Sequence, residues 1–147
     1  MKKYLGVKIV EAEPMNQRTF FETVKNQLYD SEISALGYKV VYPDGYVSWS
    51  PKDVFENAYR AIDGLTFGLA LEALKQGKRV CRLGWNGKGM WLVLCDFKCD
   101  TIIMPEIRDS AQYKKLPWIG MKTANNEFVP WLASQTDMLA DDWQIIE

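Results

Sequence analysis

The spacing of hydrophobic and polar positions changes several times along this chain, and each change marks a predicted element. Residues 4–13 mix β-branched and polar side chains as a strand does, and 19–28 then place Phe20, Phe21, Val24 and Leu28 at helical spacing. Two aromatic-rich apolar runs, 37–42 and 46–49, are joined through Pro43-Asp44-Gly45, which predicts a hairpin. In Ser50-Pro51-Lys52-Asp53 a capping serine precedes a proline suited to the first helical position, with an acid three residues after the cap. A helix is therefore predicted over 51–62. Asp63-Gly64 ends it and marks the boundary between a first unit, 1–63, and a second, 64–147.

In the second unit Thr66 can cap a helix whose Phe67, Ala70, Leu71 and Leu74 share a face, with Gly77 just past its end. Strands are predicted over 78–83 and 90–97, joined by a glycine-rich loop, 84–89, in which Asn86-Gly87 signals a type I′ turn. Residues 101–115 are irregular and charged, and predict a loop or short helix. A further hairpin, 118–122 with 127–132, crosses Ala124-Asn125-Asn126. Ser134-Gln135-Thr136-Asp137 then has the pattern of a capped helical turn, and 143–146 form a last short strand. The predicted class is α+β: small antiparallel sheets with short helices, in two compact units.

Composition narrows the function. With 147 residues, 48% of them hydrophobic, the chain can bury a core. Its 18 basic and 19 acidic residues give a net charge of −1, too little for the broad positive field that non-specific nucleic-acid binding needs. Charge is balanced in both halves, with 8 basic and 9 acidic residues over 1–63 and 10 of each over 64–147, so any anion site must be local. No segment has the length of a membrane span, and Lys8, Glu11 and Glu13 arrive too soon for a signal peptide. Three cysteines, Cys81, Cys95 and Cys99, suit a reducing compartment, so the expected location is cytoplasmic, with neither long nucleic acid nor membrane as partner. Histidine is absent, which excludes a Ser-His-Asp or Cys-His centre, a histidine base and most catalytic zinc sites. Cys95 and Cys99 complete no four-ligand set, and neither a metal nor another cofactor is expected.

Three places carry candidate chemistry, each beside a plainer alternative. In the loop 84–89, Trp85, Asn86, Gly87 and Lys88 combine an aromatic plane, exposed amides and a cation where a phosphate can approach; glycines of this kind also make ordinary turns. The loop lacks the ending of a Walker motif, so nucleotide hydrolysis gets little support. Trp85, Trp91, Trp118 and Trp131 lie in or beside hairpins and offer faces for a base, or else fill the core; Trp85 is the least core-like, Trp91 and Trp143 the most. From Trp131 onward, Ser134, Thr136 and Asp137 either cap a helix or present polar groups to a ligand, Asp137 as acceptor for a ribose hydroxyl. Asp141-Asp142 is expected to be a solvated face.

Three long motifs, in order along the second unit, go further. The opening of the second unit, residues 65–78 followed by Gly84-Trp85-Asn86-Gly87-Lys88-Gly89-Met90-Trp91, and its ending, 116–124 with 129–143, resemble the second family of Thoeris anti-defence proteins from phages and prophages. The resemblance covers 65–147. It implies a homotetramer that sequesters glycocyclic ADP-ribose signals without cleaving them, and for some members also cyclic di- or trinucleotides of the CBASS pathway at separate sites. By the same resemblance Trp85 and Asn86 contact adenine or ribose, Gly87, Lys88 and the Thr123 region face phosphate, and Trp131, Ser134, Thr136 and Asp137 complete the pocket. Residues 1–63 lie outside it, and their role stays open between extending the oligomer, covering the ligand and binding something else. Two rivals remain: an enzyme that hydrolyses the signal with Asp137 or Glu127 as base and Lys88 as phosphate clamp, and a module whose tryptophans bind a host protein.

Overall fold

The computed structural model describes residues 1–3, 6–96 and 116–146, so the prediction for 101–115 and Cys99 lie outside the described residues. The chain divides into two compact units, Met1–Arg60 and Ala61–Glu147.

The first unit is an antiparallel sheet of β1 (Glu11–Pro14), β2 (Gly37–Val41) and β3 (Val47–Pro51), in that order. The predicted hairpin forms. Gly45 takes φ +82, the Tyr42 carbonyl accepts from Gly45 N at 2.8 Å, and Tyr42 N closes on the Tyr46 carbonyl at 2.9 Å. This is a three-residue loop whose last position needs the left-handed conformation that glycine adopts freely.

Three boundaries differ from expectation. Among the described residues, the strand expected over 4–13 is formed by Glu11–Pro14, the stretch that finds partners on β2, from Glu11↔Val41 to Pro14↔Tyr38. The helix expected over 19–28 starts earlier, as α1 (Gln17–Thr19), because Asn16 Oδ1 accepts from Thr19 N at 2.9 Å. It widens into a π-helical turn, Phe20–Val24, and stops before Asn26 at φ +51, which leaves Leu28 fully exposed. The helix expected over 51–62 is α2 (Lys52–Ala58). Ser50 does not cap it, since Ser50 and Pro51 complete β3 by pairing with Tyr38 and Gly37, and Tyr59 turns extended at the other end. Buried Phe20 and Val40 form the centre of this unit, and α2 is fastened to the sheet by stacked rings, Phe55 on Tyr38 at 4.3 Å and Tyr59 on Phe55 at 4.8 Å.

The second unit begins with α3 (Phe67–Lys75), capped by Thr66, whose Oγ1 accepts from Leu69 N at 3.5 Å, and ended by Gly77 at φ +79. Five strands follow: β4 (Arg79–Arg82), β5 (Trp91–Cys95), β6 (Trp118–Lys122), β7 (Phe128–Pro130) and β8 (Trp143–Ile146), with the short α4 (Gln135–Met138) before the last. All pairs are antiparallel, in the order β7-β6-β5-β4-β8. Ala70, Ala73 and Leu74 of α3 pack against Leu65, Val80, Leu92 and Trp143 to make the core. Full burial of a side chain such as Leu74 or Leu92 contributes roughly 1.5–3 kcal/mol. Leu65 is tied to Trp143 by a reciprocal pair of backbone hydrogen bonds, 2.8 and 3.1 Å, so the start and end of the unit close on each other. The turn Ala124-Asn125-Asn126 repeats the geometry of the first hairpin with Asn126 at φ +64.

The class is α+β, built from small antiparallel sheets and short helices. One expected turn is absent: a type I′ turn needs φ > 0 at both central residues, and in the β4–β5 connection only Gly89, at φ +69, has it. Residues 83–90 instead form a longer loop.

Candidate functional site

Alternation along β4 places Val80 and Arg82 on the same side of the sheet. Val80 enters the core, so Arg82 carries a charge to the buried side at the strand's end and needs partners there. It has two. Its Nη1 donates to Asp137 Oδ1 at 2.8 Å, its Nε to Asp142 Oδ1 at 2.8 Å, and the side chain is 17% exposed. Asp142 is there because it precedes β8, whose Trp143 pairs with Arg82. The expectation of a solvated Asp141-Asp142 holds for exposed Asp141 and is corrected for Asp142, whose Oδ2 also accepts from Gly84 N at 2.8 Å.

Asp137 is the most heavily bonded side chain of the group. Oδ1 accepts from Arg82 and from Trp85 Nε1 at 3.2 Å, and Oδ2 accepts from Ser134 N at 3.1 Å and Ser134 Oγ at 2.6 Å. Ser134 Oγ in turn accepts from Asp137 N, which closes a capping box at the start of α4. Four acceptor positions are thus filled, leaving none for a ribose hydroxyl. Burial pushes this carboxyl up, but the hydrogen bonds from Ser134, Arg82 and Trp85 outweigh it and hold the group at about 2 against an ordinary 3.8. Bonding to Arg82 likewise lowers Asp142.

The sign of the resulting pH dependence follows from these shifts. A carboxylate whose folded value is depressed stabilises the fold above its ordinary value and loses that contribution as pH falls through the folded one. The urea midpoint of the protein is expected to drop between about pH 5 and pH 2, with Asp137 supplying about 2 kcal/mol of the loss. The Asp137→Asn variant should lose most of that slope.

Trp85 is half-buried and makes edge contacts with Trp143 at 5.5 Å and Trp131 at 6.2 Å, while the fully buried Trp143 donates its Nε1 to the Asp137 carbonyl at 2.9 Å. Trp143 is core as expected. Trp85, expected to be the least core-like, packs against that core instead, because its indole N–H is drawn to Asp137. Neither contact is a parallel stack, so no ring lies flat on Trp85 in these pairs. Trp91 is half-buried beside Phe128, with the Arg79 guanidinium over its ring at 5.3 Å.

Beyond Trp85 the loop leaves the core. Asn86 and Lys88 are exposed, and their side chains bond to no described residue. The amides of Asn86, Gly87, Lys88 and Gly89 likewise donate to no described residue. A methyl group placed on Gly87 would collide with Met90 Sδ and come within 3.3 Å of Ala124 Cβ, and Lys122 Nζ donates to the Gly89 carbonyl at 3.0 Å. The loop therefore lies against the β6–β7 turn. Thr123 closes that turn, with its N on the Glu127 carbonyl at 2.8 Å and its Oγ1 accepting from Glu127 N at 3.1 Å.

The predicted residues thus fall into two groups joined by the loop. Trp85, Trp131, Ser134 and Asp137 belong to the aromatic and ionic cluster, with Thr136 Oγ1 at 2.8 Å from Ser134 Oγ; Asn86, Gly87 and Lys88 lie on the open side with the Thr123 turn. Arg82, which bonds both carboxylates, is absent from the sequence-derived set. Its signal was available: an arginine two positions from a core valine in one strand. Chemically, the group offers a cation, amides that donate to no described residue and an aromatic plane. Its one buried carboxylate is held ionised and saturated, and the nearby Cys81 thiol is pushed up by burial and by Asp142.

A family model described as the Thoeris anti-defense 2-like domain matches residues 65–146, more than half the chain. The chain is also 43% identical over 86 residues to Thoeris anti-defense 2 of Bacillus phage SP01, an alignment covering 56% of this chain and 94% of that protein. Through its second unit, the chain belongs to the Thoeris anti-defense 2-like family, a family of anti-defence proteins.

Proposed function

We propose that the second unit counters host immunity by sequestering a cyclic nucleotide signal, glycocyclic ADP-ribose first and cyclic di- or trinucleotides second, and returns it uncleaved. The observation that carries this reading is the run of four loop amides, residues 86–89, that donate to no described residue, between Trp85 and the Thr123 turn, with exposed Lys88 among them. Such amides and one cation suit a pyrophosphate, and the indole suits a base. Trp85, Asn86, Gly87 and Lys88 are the contacts; Thr123, Trp131, Ser134 and Thr136 border them, and Asp137 serves by holding Trp85. A homotetramer in the host cytoplasm accords with the exposed Leu83, Leu132 and Leu139, each next to or within two residues of this cluster in sequence, which supply apolar area for subunit contacts. Among the described residues, no helix is long and apolar enough to cross a membrane.

Sequestration fits better than hydrolysis with Asp137 as base. A base must have a free lone pair and a value near working pH, whereas Asp137 is saturated and held at about 2. Titration calorimetry tests the proposal. The protein should take up glycocyclic ADP-ribose, and Lys88→Ala should weaken it about tenfold, the scale of one charge-assisted hydrogen bond, without changing the melting temperature. No heat with glycocyclic ADP-ribose or with cyclic di- and trinucleotides would overturn it and favour a protein partner.

A further inference from the structure

We infer that Arg82 is the positioning residue of the ligand loop: without touching ligand, it fixes Gly84 and Trp85 through the two carboxylates it grips, and capture depends on it. The inference rests on the sequestration reading for its ligand, but not for its geometry.

Each carboxylate that Arg82 holds has a second task on the loop. Asp142 binds Arg82 Nε through Oδ1 and accepts from Gly84 N through Oδ2 at 2.8 Å. Asp137 binds Arg82 Nη1 and, on the same oxygen, accepts from Trp85 Nε1 at 3.2 Å. Consecutive loop residues are thus fastened, one by its backbone and one by its indole, to oxygens oriented by a single guanidinium. The backbone adds to the clamp, with Leu83 N on the Asp142 carbonyl at 3.1 Å and Trp85 N on the Arg82 carbonyl at 3.4 Å. Gly84 fits this approach, because a Cβ there would lie 2.8 Å from Asp142 Oδ2 and 3.4 Å from Arg82 Nη2. All of these bonds precede residue 86, and the four amides that follow donate to no described residue. The rigid fork of arginine reaches two carboxylates at once, whereas the single ammonium of lysine has no such geometry.

A purely structural ion pair would also weaken the fold when broken, so the test needs a local readout. In the full chain labelled with 5-fluorotryptophan, the Trp85 fluorine resonance is assigned by its loss in Trp85→Phe and that of Trp143 by its loss in Trp143→Phe. Arg82→Lys is expected to shift the Trp85 resonance, leave that of Trp143 in place, and weaken glycocyclic ADP-ribose at least about tenfold in calorimetry, as loss of a charge-assisted anchor implies. Combined with Trp85→Phe, it should cost less than the two single losses multiplied, since Arg82 acts partly through that indole. Should Arg82→Lys not fold, Asp142→Asn, which keeps an acceptor for Gly84 N and removes one ion pair, should give the same pattern at smaller amplitude. An unmoved Trp85 resonance, or unchanged affinity in a folded Arg82 variant, overturns the inference. If the unaltered protein takes up no glycocyclic ADP-ribose, the sequestration reading fails instead, and the fluorine shifts alone decide on Arg82.

Discussion

Replacing Asp137 with alanine is expected to lower the unfolding free energy of the second unit by about 3–5 kcal/mol, the range for removing one partner of a buried ion pair. The side chain is 12% exposed and serves three other structures at once. Without it Arg82 keeps a largely buried charge with only Asp142 opposite, Trp85 Nε1 loses its acceptor, and Ser134 N at the start of α4 is uncapped. The Ser134→Ala variant removes the cap alone and should cost about 1 kcal/mol. Urea unfolding followed by tryptophan fluorescence reads both. A loss below 1 kcal/mol for Asp137→Ala would mean that the carboxylate behaves as a surface group, and the ionic cluster would have no organising role.

The second large effect is on capture. Trp85→Ala is expected to weaken glycocyclic ADP-ribose about 10- to 100-fold, because stacking a base on an aromatic ring contributes roughly 1–3 kcal/mol. Some stability should go with it, since the indole also packs edge-on against Trp131 and Trp143. Trp85→Phe separates the two contributions: the ring remains for a base while the bond to Asp137 Oδ1 is lost, so capture should fall less than in the alanine variant. Calorimetry at a temperature where all variants are folded makes the comparison. Full affinity in folded Trp85→Ala would remove this tryptophan from the contact set.

The parts of this architecture that rest on local chemistry were legible in the sequence. Thr66 and Ser134 cap the helices they precede, and both three-residue hairpin turns close on a left-handed Gly45 or Asn126. Where tertiary pairing competes with local preference, the sequence misleads. Ser50-Pro51 has the chemistry of a helix start, yet the ladder with Gly37 and Tyr38 holds both residues in β3. Asn86-Gly87 has the chemistry of a two-residue turn, but Gly84 is held by Asp142 and Trp85 by Asp137, so the chain takes a wider path. The candidate site divides in the same way. The loop, the tryptophans and the capping residues could be picked out by type, but their connection depends on Arg82 meeting residues 55 and 60 positions away, a contact set by the β4–β8 pairing. One feature of the strand pointed to it: a charge on the face that buries Val80 must be met by something.

The most direct test of sequestration is a mass balance on the ligand. Purified protein is loaded with glycocyclic ADP-ribose, freed of excess, held for hours and denatured by heat, and the released material is analysed by mass spectrometry. The account predicts recovery of the intact ring in an amount matching the sites filled. Recovery of a ring-opened or hydrolysed product, or of no nucleotide at all, would contradict it.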